Sequence, residues 1–401
     1  QSANGTNPNE GTTYVAFALD FKGAESRATE TGTPQESNIN SAYVIMDGSV
    51  IISTDNTDTS ADAGYYDAAS EKFLFHTEPG DHTFLAVVNP ETDPSNPLED
   101  YFTESVATTP TVIASTTGDG NFMMSSVEEK TFYINDNITE EQALQGSDET
   151  TNNYEIEVER VSAKVTVTAA DATIESADGS EAGGTISDTE FNLRQGADNT
   201  TRMAGTILES NTYKWKVENV AVTEGQTYAQ ATPAYCLENI HNNGSYVQNN
   251  TTYITLKTTF TPSKVVNAQG EVVDYTYNGS DDKTFYVVTE GTLAGNYIMG
   301  DATTGAAPSL PVGVGDISEA YEDGECWFGP IWFGQETLNE SADAPVVRNT
   351  WYNLAITTIT LPGSPNEPQP IPDEELEPAT NVAITLSILP WDFKNIEVDL
   401  Q

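Results

Sequence analysis

Few residues in this 401-residue chain can do chemistry, and their spacing argues against an enzyme. His76, His82 and His241 are scattered, with no HxxxH or HExxH pair to hold zinc, and each reads as a surface or turn residue. Cys236 and Cys326 lack a CxxC partner, so they read as two buried thiols or, in an exported protein, as a disulfide. Asp55, Asp58, Asp62 and Asp67 cluster in one loop, where calcium would find hard oxygen ligands. The EF-hand spacing is absent, however, and a solvated loop is the better reading. No G-x-S-x-G elbow, P-loop or dinucleotide fingerprint occurs, and in so acidic a chain paired carboxylates say nothing about glycosidase chemistry. Trp327, Phe328, Trp332 and Phe333 crowd into CWFGPIWFG, which would suit either a sugar-stacking platform or core packing around a Gly-Pro turn. No cofactor or metal is implied.

The charge balance narrows the partners. Sixty-two acidic residues stand against 15 Lys and Arg, a formal charge of −47. Such a polyanion is repelled by nucleic acid and by anionic membranes, whereas it suits solubility at high local concentration outside a cell. With 37% hydrophobic and 9% aromatic residues there is material for two cores, and the length fits two domains. No apolar run approaches the ~20 residues that cross a bilayer. The chain opens on polar QSANGTNPNEG, as expected of a protein from which an export signal has been removed.

Elements that would position any site are strands. Short apolar runs rich in Val and Thr are punctuated by Gly, Pro, Asn and Asp, which predicts an all-β sandwich protein. In TTYVAFALDF, Val15, Phe17, Leu19 and Phe21 share one face, and Tyr14, Ala16, Ala18 and Asp20 the other. AYVIMDG predicts a strand ended by an Asp-Gly turn, and Thr139 is placed to cap a short helix over ITEEQALQGS. In YEIEVERVSAKVTVTA the apolar parity switches between Val158 and Val161, which predicts a β-bulge or bend within one strand near Glu159 and Arg160. A polar, Gly-rich stretch at 169–185 is the expected domain boundary. Beyond a Pro- and Glu-rich leash from Leu361 to Thr380 comes a further apolar strand, with Val382, Ile384, Leu386 and Ile388 on one face. Trp391 and a second alternation of Ile396, Val398 and Leu400 follow. Such a strand either folds back on its own sheet or completes the open sheet of another subunit.

Four segments carry a resemblance: YEIEVERVSAKVTVT, AYCLEN, VVRNTWYNLAITTITLPG and NFMMSS. In order and spacing they resemble the Mfa-type (FimA/Mfa-like) fimbrillins, the shaft subunits of the type V pili of Bacteroidales. The resemblance implies two tandem transthyretin-like β-sandwich domains plus a C-terminal strand extension. It places a propeptide with a removable first strand at 1–27, sandwiches at 28–170 and 171–362, and the linker with its donor strand at 363–401. It further implies a lipid-anchored outer-membrane precursor and an extracellular fimbrium supporting adhesion and biofilm formation. Its partners would be other copies, accessory pilin subunits, an Arg-specific gingipain-like protease and a host or bacterial surface ligand. Mapped here, the protease cuts between Arg27 and Ala28, the one Arg before Arg160. Val15, Phe17, Leu19 and Phe21 leave, and Val382, Ile384, Leu386, Ile388, Trp391, Ile396, Val398 and Leu400 of a neighbour supply the replacement. A competing expectation is a tip adhesin or surface glycan-binding lipoprotein using the CWFGPIWFG aromatics.

Overall fold

The computed structural model describes residues 12–22, 33–169, 183–334, 342–359, 362–379, 382–389 and 391. Arg27, Ala28, Ile396, Val398 and Leu400 lie outside the described residues, as does most of the expected boundary at 169–185.

Apolar alternation and Gly/Asn/Asp turns yield the expected all-β chain. The first sheet uses β1 (Thr13–Phe21), β2 (Ala42–Met46), β3 (Ser49–Ser53), β4 (Tyr65–Asp67), β5 (Lys72–Thr77), β6 (Gly80–Val88), β7 (Met124–Ser126), β8 (Lys130–Ile134) and β9 (Asn153–Arg160). Their order is β3-β2-β6-β7-β9-β1-β5-β4, with β8 also pairing β6. The β2–β3 hairpin turns at Asp47 and Gly48, with φ of 50° and 78°. Two consecutive left-handed residues match the right-handed twist of a hairpin, which is why Asp-Gly stands there. One short helix, α1 (Glu140–Gln145), begins where Thr139 accepts a hydrogen bond from the Gln142 N–H, 3.2 Å away.

The second half holds two four-stranded sheets. One is ordered β13-β10-β16-β17, from β10 (Ser162–Ala169), β13 (Ala234–Leu237), β16 (Trp351–Ile359) and β17 (Val382–Leu389). The other is ordered β12-β11-β14-β15, from β11 (Gly184–Gly196), β12 (Trp215–Ala221), β14 (Tyr253–Pro262) and β15 (Glu325–Trp332). Val165, Val167, Leu354 and Ile356 from the first meet Phe191, Leu193, Leu256 and Phe328 from the second in one core. The core of the first sheet gathers Val15, Phe17, Val44, Phe75, Phe84 and Ile156.

The parity switch at Glu159–Val161 falls between two strands rather than at a bulge or bend inside one. β9 belongs to the first sheet and β10, beginning two residues after β9 ends, to another, pairing β13 and β16. The chain changes sheet at Val161, so its inward face is re-phased toward a different core. A buried arginine ties the two halves. Arg202 donates to Glu91 at 2.9 Å and to Glu104 at 2.7 Å, and Arg348 braces its backbone by donating to the carbonyls of Arg202 at 2.8 Å and Thr201 at 2.9 Å.

Candidate functional site

The first strand is an interior strand. β1 runs parallel to β9, from Ala16 opposite Asn153 to Phe21 opposite Val158. It runs antiparallel to β5, from Thr13 opposite Thr77 to Phe17 opposite Phe73. Val15 and Phe17 have no exposed surface, and Leu19 and Phe21 pack partly buried against the same core. Phe17 is the centre of an aromatic group, with ring centroids 4.4 Å from Phe84 and 5.7 Å from Phe75 and Tyr154. The opposite face is covered at Ala16. Ala16 packs with Tyr65, Leu74 and Ala143, because α1 lies across it.

Just past β1, Lys22 reaches back to Glu159, Nζ to Oε2 at 3.2 Å. Glu159 is 6% exposed; burial raises its carboxyl above the ordinary range, partly offset by Lys22 and Arg348. Beyond the segment that carries Arg27, a single 3-10 turn (Pro34–Ser37) inserts Glu36 into the junction between the halves. There Glu36 Oε1 accepts from Lys164 Nζ at 2.8 Å, and that ammonium lies 3.9 Å from the Trp351 ring centroid. Burial holds the Lys164 amine below its ordinary value, partly offset by Glu36. Arg160, also buried, donates to the Glu36 carbonyl at 2.9 Å, the Ser37 hydroxyl at 3.2 Å and the Trp391 carbonyl at 2.9 Å. Its guanidinium lies 4.5 Å from the centre of the Trp391 ring. One arginine thus holds both the segment that follows the expected cut and the root of the C-terminal extension.

That extension is less loose than a leash. Glu367 receives Arg194 at 2.8 Å and Thr255 at 3.0 Å, Trp332 Nε1 donates to the Glu377 carbonyl at 3.0 Å, and Leu376 is buried beside Tyr246 and Tyr253. The strap ends in β17, the outer strand of its sheet, paired antiparallel to β16 with Ile384 opposite Ile356 and Leu386 opposite Leu354. Val382 is buried, and Ile384 and Leu386 are partly buried on the second core. Ile388 stands opposite Tyr352. Of the two readings of this strand, the structure shows the fold-back onto its own sheet.

The remaining candidates are spoken for. Phe328, Trp332 and Phe333 are core residues, so only Trp327 of the aromatic cluster is partly accessible. Cys236 and Cys326 are free and buried, and burial pushes the Cys236 thiol up to about 12 and the Cys326 thiol higher still. Asp58 and Asp67 accept from nearby Ser60 and Ser70, and no group of metal-ligating side chains assembles among the described residues. His241 Nε2 lies 2.8 Å from the Asn250 carbonyl, and His82 sits between Asp47 and the Glu78 carbonyl at 2.6 and 2.8 Å. The sequence reading missed Lys22, Glu36, Glu159 and Lys164. Only Lys164 carried a signal, a lysine inside the Val-rich SAKVTVTA strand of a chain with only 15 Lys and Arg.

Fold and site define a tandem β-sandwich protein whose organised features are its first strand and its last. Residues 319–396 match the family model described as "Major fimbrial subunit protein type IV, Fimbrillin, C-terminal". Among solved structures, a fimbrilin (FimA) of Porphyromonas gingivalis W83 is 13% identical, with a TM-score of 0.50 over 95% of this chain and 99% of that one. A candidate cell adhesion protein of Parabacteroides distasonis is 14% identical, with a TM-score of 0.50 over the same shares. No curated protein sequence matches significantly. The C-terminal part of the chain is thus similar to the fimbrillin family model and the whole chain shares the fold of the FimA structure, in keeping with the expected resemblance to the Mfa-type fimbrillins.

Proposed function

We propose that this chain is a structural shaft subunit of an extracellular fimbrium, without enzymatic activity, that polymerises by donor-strand exchange. An Arg-specific protease cuts between Arg27 and Ala28, β1 departs, and the C-terminal extension of a neighbouring copy fills the opened groove. The precursor is lipid-anchored at the outer membrane, and the fibre, with its accessory subunits, serves adhesion and biofilm formation.

The observation that carries this reading is the place of β1 between β5 and β9 with Val15 and Phe17 wholly buried. Its loss would strip partners from both flanking strands and uncover Phe75, Phe84 and Tyr154. Unpaired strand edges beside bare aromatic surface favour capture of a new strand. At about 25 cal/mol per Å² of apolar area, each large side chain that refills the groove contributes roughly 1.5–3 kcal/mol. Donation from one copy into the next is head-to-tail, so it gives an open filament rather than a closed ring.

The test is proteolysis of the full chain by an Arg-specific protease, followed by size-exclusion chromatography. Wild type should pass from monomer to oligomers, whereas Arg27→Ala should remain monomeric. A cut wild-type chain that stays monomeric at high concentration sinks the proposal.

A further inference from the structure

The loss of β1 has an electrostatic consequence besides the apolar one. Lys22 precedes Arg27 and would leave with the strand, taking away the ion-pair partner of the buried Glu159. Arg348 remains nearby, but so does the like charge of Glu238. A buried carboxylate stripped of its partner is costly, so a strand that returns a cation to this spot is preferred over one that does not. Lys and Arg are scarce, and residues 349–401 contain a single one, Lys394. It ends the triplet Asp392-Phe393-Lys394, which repeats Asp20-Phe21-Lys22 residue for residue.

We propose that in the assembled fibre Glu159 pairs with Lys394 of a neighbouring copy, and that this pair sets the register of the incoming strand. The inference rests on the strand-exchange reading above and deepens it. In this register Phe393 takes the place of Phe21, Trp391 that of Leu19 and Leu389 that of Phe17. Trp391 is larger than Leu19, and the groove has room at that point. A cleft of about 120 Å³ lies beside Leu19 and Phe21, lined also by Ile39, Tyr66 and Phe73. Pro390 falls at Ala18, where it cannot donate to the ladder. The pairing of β1 with β5 ends at Phe17, so from there only β9 flanks the strand and a single ladder position is affected.

Apolar spacing alone suggests another register, with Val382 in place of Val15. That register puts Leu389 where Lys22 stood and sets a hydrocarbon against Glu159. The stranded charge argues against it. The Lys394 register also requires Trp391 to leave Arg160 and β17 to leave β16, so contacts that hold the end of the extension in the monomer are given up in the polymer.

Charge reversal on the full chain, cut by an Arg-specific protease and followed by light scattering, tests the pair. Lys394→Glu should slow assembly by roughly tenfold or more, since it sets two carboxylates against each other. The double variant Glu159→Lys with Lys394→Glu should recover most of the rate. Glu159→Lys bears on a buried position, so thermal melting of the uncut variants comes first. Should it fail to fold, Glu159→Gln is used instead and should make assembly insensitive to Lys394→Glu. Wild-type assembly of the Lys394→Glu chain overturns the register lock. Deleting residues 390–401 separates the two levels. Assembly that survives the deletion removes strand exchange by this segment; assembly lost on deletion but normal with Lys394→Glu removes the lock alone.

Discussion

β1 and β17 are both single apolar strands at the two ends of the chain, yet they are held very differently. β1 has a hydrogen-bonded neighbour on each side and is covered on both faces, by the aromatic core and by α1. β17 has one neighbour, β16, and its Ile384 and Leu386 are only partly buried. An interior strand cannot leave without opening the whole sandwich, whereas an outer strand can peel off while its sheet survives. The difference teaches that, under the proposed exchange, β1 is the end that would need a covalent cut to be released. For β17, detachment is a local opening, held back at its far end by Arg160 and Trp391.

Substitutions can break or sharpen this contrast. The largest effect is expected for Phe17→Ala in the uncut chain, about 3–5 kcal/mol by denaturant unfolding, because it empties the centre of a packed aromatic group. A loss below about 1 kcal/mol would mean that β1 is not the linchpin described. Lys164→Met should follow, at about 3 kcal/mol, since it leaves the Glu36 carboxylate buried without its cation. Restoration by the further change Glu36→Gln would confirm that the stranded charge, not lost packing, is responsible. Leu386→Ala should cost at most about 2 kcal/mol, the low end for leucine truncation, and should speed amide exchange in β17 without touching β1. Equal losses for Phe17→Ala and Leu386→Ala would erase the comparison.

The smallest effect concerns the β2–β3 turn. Burial opposes protonation of His82, but acceptors on both ring nitrogens, Asp47 and the Glu78 carbonyl, outweigh it and raise its pKa above the ordinary 6.5. Burial likewise works against the Asp47 charge and is outweighed by His82 and Thr83, so its pKa falls below 3.8. A raised imidazole gives stability that is present in full below pH 6.5 and is lost as pH climbs through the raised value. The lowered carboxyl contributes above pH 3.8, and that contribution is lost as pH falls through its depressed value. Melting curves should therefore show His82→Gln costing up to about 1 kcal/mol between these limits and nothing at pH 9. A cost that does not vary with pH would assign His82 a packing role instead.

Much of the architecture was legible because it rests on local rules. Period-two alternation marked β1 and β17, Asp47-Gly48 marked a hairpin, and Thr139 marked the helix start. What could not be read is set by distant partners. The face of Ala16 was legible, but nothing in its neighbourhood announces that α1 packs over it from more than a hundred residues away. The parity break at Glu159–Val161 was visible, but a bulge and a change of sheet produce the same pattern, and only strand pairing separates them. The segment from Leu361 to Thr380 read as a Pro- and Glu-rich leash, and its composition did not reveal what it docks against. Arg194 and Gln248, which pin it, lie far back in the chain. Charged residues were the weakest signal of all. In a chain with 62 carboxylates, nothing local sets Glu36 and Glu159 apart from the solvated majority.

Amide hydrogen exchange at 73–77 in β5 and 153–158 in β9, followed through cleavage and assembly, tests the central claim most directly, because these stretches flank β1. Exchange should be slow in the uncut monomer, fast in the cut chain held dilute, and slow again in the assembled fibre, where a neighbour's strand closes the groove. Amides that stay slow in the cut, dilute monomer, or stay fast in the fibre, would contradict the account.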